Sequence, residues 1–243
     1  MKFFGLLIVL IHAGSYAQGY DQKIMDLLDD NKIAKAQKRF DKIGSKIMDQ
    51  NACLFVQGKI YRKSGEYSKA LEKFNEVLGN DSLYADAIDE IGVVKTILGE
   101  PYEVALSYYE RALEIIPNNT TYLGHIGTTY FIVDKNELAL KYYHRVLEID
   151  PDNDYMLSNL GLAYARKGEH IKAILYFSKA LKYRKDPKTY YDRGKSYYEL
   201  DLYSDAIRDF KKAKRKLKNE NKFEALNEEF LDDYIEVCKK LKN

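Results

Sequence analysis

Four prolines and two cysteines are all that 243 residues contain, and 39 basic side chains nearly cancel 37 acidic ones to leave a net charge of +2. Each shortage excludes something. So little proline leaves long stretches free to run as helix, and the abundance of Lys, Glu, Leu and Ala favours helix further, because straight-chain side chains lose little rotamer freedom there. Balanced, interspersed charge creates no field that would draw nucleic acid or an anionic membrane. Histidine is scarce as well, with four residues. His125, His144 and His170 fall in different units or different helices, and none has a histidine four residues on, so no zinc-binding helix is written here. Gly124-His125-Ile126-Gly127 lacks a following Lys-Ser/Thr pair and reads as helix, not as a phosphate loop. No serine is flanked as a nucleophile elbow. Carboxylates are plentiful, but solvated helix faces account for them. The expectation is a chain with no catalytic residue, no cofactor and no metal. Hydrophobic residues, at 46%, are enough to build a core, so disorder is not expected.

Long apolar runs are missing except at the N-terminus. There Lys2 precedes an apolar stretch, Phe3 to Ile11, and Ser15-Tyr16-Ala17 places small residues at −3 and −1. This reads as a secretory signal peptide over 1–17, cut after Ala17 to leave Gln18 first. The run is about half of the ~20 residues that span a bilayer, with an uncleaved anchor as the other reading. No cysteine follows the cut, which argues against a lipoprotein. The localisation expected is export, periplasmic or secreted, with no transmembrane segment in the mature chain. Asn80, Asn118 and Asn119 satisfy the N-glycosylation pattern.

What the chain does have is a period. Gly58, Gly92, Gly127, Gly161 and Gly194 recur at intervals of 34, 35, 34 and 33. An aromatic follows three residues later (Tyr61, Tyr130, Tyr164, Tyr197), with Lys95 the exception. An alanine comes about twelve residues after the glycine, at Ala70, Ala105, Ala139, Ala173 and Ala206. Four residues beyond it stands a second aromatic: Phe74, Tyr109, Tyr143, Phe177 and Phe210. Between glycine and alanine lies a short polar break such as Lys63-Ser64-Gly65-Glu66. Apolar residues on both sides recur at three and four, the mark of amphipathic helices. Each unit is expected to be two antiparallel helices in which Gly and Ala, opposite each other, permit close approach while the aromatics fill the space around the crossing. Pro117 and Pro151 stop second helices.

This pattern resembles the tetratricopeptide repeat, a 34-residue helix–turn–helix unit, with Leu160-Gly161, Tyr164, Ala173 and Phe177 matching almost fully. The resemblance implies an all-α fold, a right-handed superhelical solenoid with units at 51–84, 85–119, 120–153, 154–186 and 187–220. Ala36, Phe40 and Ile43 repeat the second-helix spacing one period earlier, so 18–50 reads as a degenerate N-terminal capping repeat starting near Tyr20. Residues 221–243 read as a C-terminal capping helix. Phe223, Leu226, Phe230, Leu231, Tyr234, Ile235, Cys238 and Leu241 share its apolar face. Cys53 and Cys238 then fall near opposite ends. A bridge needs Cα atoms within about 7 Å, which favours two buried thiols.

In the family the first helices line a concave groove, and its groove positions carry over to particular residues here. They are Lys59, Arg62 and Lys63, then Asp86, Asp89 and Glu90, then His125, Thr128 and Phe131. The fourth unit gives Tyr155, Ser158, Asn159 and Arg166, and the fifth Lys188, Tyr191, Asp192, Lys195 and Tyr198. Basic and acidic patches adjoin, with tyrosine concentrated toward the C-terminal half, and Tyr and Arg dominate binding hot spots. The subclass that clamps a C-terminal carboxylate is disfavoured. Asn159 and Lys188 fit its pattern, but Gly124, Thr128 and Asp192 do not, and an aspartate repels a carboxylate. Most of the repeat-position tyrosines, Tyr61, Tyr67, Tyr102, Tyr109 and Tyr143 among them, are expected in the core. The basic run Lys211 to Lys218 has two readings, an anionic partner or a solvated helix end whose cations suit the helix C-terminus. The function expected is a non-catalytic scaffold binding a peptide or protein in the groove. A self-association module is the alternative, and a carbohydrate-binding or enzymatic role stands behind both.

Overall fold

The computed structural model describes residues 21–217 and 228–242. Residues 1–17, expected above to be a signal peptide, and Phe223, Leu226 and Lys218 lie outside the described residues. Among the described residues every regular element is a helix. In order they are α1 (Gln22–Asp29), α2 (Ile33–Ile47), α3 (Gln50–Lys63), α4 (Tyr67–Asn80), α5 (Ala85–Ile97), α6 (Tyr102–Ile115), α7 (Thr120–Ile132), α8 (Asn136–Ile149), α9 (Asp154–Arg166), α10 (His170–Tyr183), α11 (Pro187–Tyr198), α12 (Tyr203–Leu217) and α13 (Glu228–Lys242). The chain falls into two compact units that meet within α7, between His125 and Ile126.

One turn recurs through the chain and makes each hairpin. Gly65, Gly99, Asp134, Gly168 and Asp201 all have φ between 58° and 80°. In each case the next residue's N–H reaches back to a carbonyl five residues earlier: Glu66 to Tyr61 at 2.9 Å, Lys135 to Tyr130 at 2.9 Å, Glu169 to Tyr164 at 2.9 Å. This is the left-handed C-terminal cap of a helix, which favours glycine and tolerates Asp or Asn. It ends the first helix and reverses the chain within about three residues. Several first helices are capped at the other end by a side chain: Ala52 N–H donates to Asp49 at 2.7 Å, Met156 N–H to Asn153 at 3.0 Å and Thr189 N–H to Asp186 at 2.8 Å.

The repeating glycine serves the second aromatic more than the alanine. A Cβ placed on Gly161 would stand 2.5 Å from the Phe177 ring, and the nearest atoms to a Cβ on Gly58, Gly92, Gly127 and Gly194 are likewise those of Phe74, Tyr109, Tyr143 and Phe210. The ring edge therefore occupies the space that any side chain would take. Phe74, Phe177 and Phe210 are fully buried and Tyr109 and Tyr143 nearly so, and Ala70, Ala139, Ala173 and Ala206 are fully buried beside them. In the hairpin where Lys95 replaces the first aromatic, its Nζ pairs with Glu100 across the turn at 2.8 Å.

Unit 1 has cores of Phe55, Phe74, Tyr84 and Ile91, of Ile24, Leu28, Ala36 and Val56, and of Ile88 with Tyr122. Cys53 is half-buried there, its thiol against the Met48 carbonyl at 3.7 Å, and burial pushes its pKa up. In unit 2, α13 closes the stack. Leu231, Ile235 and Cys238 join Ala206, Phe210, Ala213 and Leu217 of α12 in one core. Cys53 and Cys238 are both thiols. The basic run of α12 is partly engaged by its own chain: Lys214 pairs with Asp232 at 2.5 Å and with Glu228 at 3.8 Å, and Lys212 lies over the Tyr190 ring at 5.3 Å.

Candidate partner-binding surface

The groove positions in unit 1 are spent on one another. Arg62 Nε approaches Glu90 Oε2 at 2.6 Å, off the angle of a hydrogen bond, and Lys59 Nζ lies 3.4 Å from Glu90 Oε1. Burial alone would push the Glu90 carboxyl up; the Lys59 and Arg62 cations outweigh it and hold the pKa below its ordinary value. Next to it, His125 Nδ1 meets Asp89 Oδ1 at 2.8 Å, and Tyr122 donates its hydroxyl to Asp86 at 2.6 Å. Asp89 and Glu90 are buried. Lys63 is held below its usual pKa, first by burial and then by Arg62. The adjoining basic and acidic patches expected as a free binding surface are therefore a structural network. Lys59, Arg62, Asp86, Asp89, Glu90 and His125 tie α3, α5 and α7 together and leave little charge for a partner.

That network predicts a pH dependence. Burial would push the His125 imidazole down, but Asp89 and Glu90 facing it outweigh burial, and its pKa is raised despite the opposing Arg62 cation. A raised histidine contributes stability that is complete below the unfolded value near 6.5 and is lost as pH rises through the folded value. Asp89, pushed up by burial, acts in the same direction. In unit 2 burial lowers His144, which acts oppositely. The readout should therefore be local: hydrogen exchange of α5 and α7 amides accelerates, beyond the intrinsic base catalysis, as pH rises above the ordinary histidine range near 6.5, and His125→Asn removes most of that excess.

Unit 2 is different. A cavity of about 510 Å³ opens where α7, α9 and α11 end, lined by Phe131, Arg166, Asp192 and Lys195 with Leu162 and His170 among its other walls. The Arg166 guanidinium stacks on the Phe131 ring at 3.6 Å, donates to the Phe131 carbonyl at 2.5 Å and pairs with Asp134 at 3.7 Å. Such stacking pre-positions the cation and leaves its other face to solvent. Asp192 pairs with Lys188 at 2.9 Å, and burial raises its carboxyl pKa against the pull of Lys188 and Lys195. On α9, Asn159 Nδ2 is buried with no hydrogen-bond partner among the described residues. A buried donor left unpaired costs about 1–3 kcal/mol. Ser158 bonds Thr189 across α9 and α11 at 2.7 Å, and Tyr155 is exposed.

Phe131, Arg166, Asp192 and Lys195 thus come together from the expected groove positions, with Asn159 about two helix turns before Arg166 on α9. Tyr191 and Tyr198 do not stand open. Helix α13 packs against both: Tyr191 lies 5.9 Å from Phe230 and from Tyr234, and Tyr198 lies 6.2 Å from Tyr234. The chain's own last helix therefore covers the tyrosines that composition marked as a hot spot. Sequence reading missed Leu162, His170 and Glu199, which also line the cavity. Leu162 follows Gly161 as Lys195 follows Gly194, so it holds a groove position that the sequence reading passed over, whereas His170 and Glu199 sit beside the turns at Gly168 and Asp201.

This set of capped helical hairpins defines a helical repeat protein. Family models described as TPR repeat and Tetratricopeptide repeat match residues 127–168 and 155–187. That stretch, 127–187, carries tetratricopeptide repeats, and the described residues as a whole have an all-helical repeat fold. A solved structure of MamA AMB-1 is similar, with 28% identity over 66% of this chain and 95% of that one and a TM-score of 0.55. Another MamA structure shares 23% identity over 68% and 97%, with a TM-score of 0.57. A chain of the APC/C hetero-tetramer Cut9-Hcn1 shares the fold at 18% identity, covering 90% of this chain and 42% of that one, with a TM-score of 0.75. No curated protein matches in sequence.

Among the described residues no helix is long and apolar enough to cross a membrane, and no cluster of three or more His, Cys, Asp or Glu is placed to hold a metal ion.

Proposed function

We propose that this protein is a non-catalytic scaffold that holds a peptide or protein segment on the first-helix face of unit 2. The observation that carries this reading is the cavity at the ends of α7, α9 and α11, where Arg166 is already stacked on Phe131 and Asp192 and Lys195 stand opposite. Rigid helices present these groups in fixed positions, so a bound segment loses its own freedom while the surface loses little. The mixed lining suits a segment carrying both an acidic side chain, for Arg166 and Lys195, and an apolar one, for Phe131 and Leu162. Repeat neighbours that work within assemblies, such as the Cut9-Hcn1 hetero-tetramer, support the class of role. Export with removal of residues 1–17 belongs to the same proposal and places the partner in an envelope or outside the cell; an intact mass beginning at Met1 in the source organism would count against it.

The test is affinity capture from the source's own extract with the full chain and with Arg166→Glu. Arg166 is 40% exposed and its loss leaves the core intact. A partner retained by the natural chain should be lost, or bound at least about tenfold more weakly, by the variant, the scale of one hot-spot residue. Equal retention by both would move the site off this face.

A further inference from the structure

The outward positions of the second helices change character along the chain. The buried alanines Ala70, Ala105, Ala139, Ala173 and Ala206 set a common register. Two residues before each alanine, and two, five and nine residues after it, lie four side chains of one helix face, nearly all of them exposed. In unit 1 these positions hold Glu72 on α4 and Glu103, Glu110 and Glu114 on α6, and no cation. On α8 they are mixed, with Glu137, Lys141 and Glu148. On α12 they hold Arg208, Lys211 and Arg215, and no acid. The repeat itself therefore does not call for cations there. The near-zero net charge, which argued against an anionic membrane, is an average over an acidic stripe and a basic one.

Helix α10 carries the apolar part of this face and has no carboxylate at all. Ile171 is 75% exposed and Leu175, one turn on, is 51% exposed. Lys179 and Lys182 follow them, both exposed. Lys179 Nζ lies over the Tyr176 ring at 5.2 Å, and Lys182 has no ion pair among the described residues. Helix α12 runs beside α10, since Arg193 between them donates to Ser178 of α10 at 2.8 Å and to Asp209 of α12 at 2.6 Å. Two acids at the edge of the face are already engaged, Glu169 by Lys172 and Asp205 by Arg208.

We propose that the outer face of α10 and α12 rests on an anionic lipid surface. Ile171 and Leu175 enter the boundary between headgroups and acyl chains, and Lys179, Lys182 and Lys211 meet the lipid phosphates. Lysine suits this place, because its stem lies along apolar surface while its ammonium stays at the headgroups. The protruding aliphatics favour lipid over other polyanions: a nucleic acid or an acidic polypeptide sets charge, not hydrocarbon, against them. Each cation near an anionic leaflet strengthens attachment about fivefold, so three together contribute about a hundredfold. The proposal is independent of the cavity reading, which uses other residues on the first helices.

The experiment titrates the full chain with vesicles of phosphatidylcholine alone and of phosphatidylcholine with about one third phosphatidylglycerol, at low and at physiological salt. The apolar stretch 3–11 attaches to either vesicle, so the readout is the ratio of the two partition coefficients. The natural chain should favour the anionic vesicle by about a hundredfold at low salt and by less at physiological salt. The combined variant Lys179→Ala, Lys182→Ala and Lys211→Ala, at three exposed positions, should bring the ratio close to one. Ile171→Ser with Leu175→Ser should weaken attachment to the anionic vesicle several-fold and leave the salt dependence in place. Glu110→Ala with Glu114→Ala, on the acidic stripe of α6, should not lower the ratio. Circular dichroism checks that each variant keeps its helices. A ratio near one for the natural chain, or a lysine variant that keeps the natural ratio, overturns the proposal. Polyglutamate is the competing probe: if it binds as tightly as the anionic vesicle, and equally to the natural chain and the Ile171–Leu175 variant, the face belongs to an acidic protein and the lipid assignment is overturned.

Discussion

Replacing Arg193 by methionine should destabilise the C-terminal end of unit 2 by about 3–5 kcal/mol, because it leaves the Asp209 carboxylate buried without its partner. Asp209 is 2% exposed. Arg193 reaches it with two parallel bonds, Nε to Oδ2 at 2.6 Å and an Nη to Oδ1 at 2.9 Å, and a third donation goes to Ser178 at 2.8 Å. One side chain of α11 therefore clamps α12 and α10. The forked geometry is what lysine cannot reproduce, so Arg193→Lys should lose much of the same energy. Lys212, 3.7 Å from Asp209, offers partial relief and places the expected loss toward the lower end of the range. The double variant Arg193→Met with Asp209→Leu removes both charges together and should recover most of the loss. Because repeats depend on their nearest neighbours, the readout is the urea midpoint together with hydrogen exchange in α11 to α13, where the change should concentrate.

The second large effect lies at the glycine–aromatic contact. Phe177→Ala should cost about 3–5 kcal/mol, the usual range for emptying a fully buried aromatic site. Gly161→Ala should cost about 1–3 kcal/mol for the opposite reason, since its new Cβ falls 2.5 Å from the Phe177 ring and the ring edge must move. The two changes share one space. With Phe177 gone the added methyl has room, so the double variant should be markedly more stable than the sum of the two losses, a coupling of about 0.5–3 kcal/mol in a double-mutant cycle read by urea denaturation. Simple additivity would mean that the ring and the glycine do not constrain each other.

That contact explains why the fold class was legible in the residues alone. A glycine that must lack a side chain and an aromatic that must fill the resulting space leave matching marks about sixteen residues apart, and the marks recur because the unit recurs. The hairpin turn was half legible: Gly65, Gly99 and Gly168 announce a left-handed residue, whereas Asp134 and Asp201 perform the same task with a residue that elsewhere means only a solvated charge. The binding surface was harder to read. Position in the repeat says which way a side chain points and nothing about what it meets. Glu90 finds Arg62 from 28 residues away and Asp89 finds His125 from 36, so a patch that looks charged in sequence is neutralised in space. The tyrosines at 191 and 198 misled for a related reason. Their rings belong to the groove pattern, but α13 arrives after the last repeat and stacks on them, and no repeat periodicity encodes where a capping helix lies.

The claim that unit 2 presents the binding surface is tested most directly by hydrogen-exchange footprinting of the full chain with its captured partner. The account predicts slowed exchange at the C-terminal ends of α7, α9 and α11, around Phe131, Arg166 and Lys195, with α8 and α10 little changed. Protection confined to α8, α10 and the outer face of α12, with those three ends exchanging as in the free protein, would contradict it.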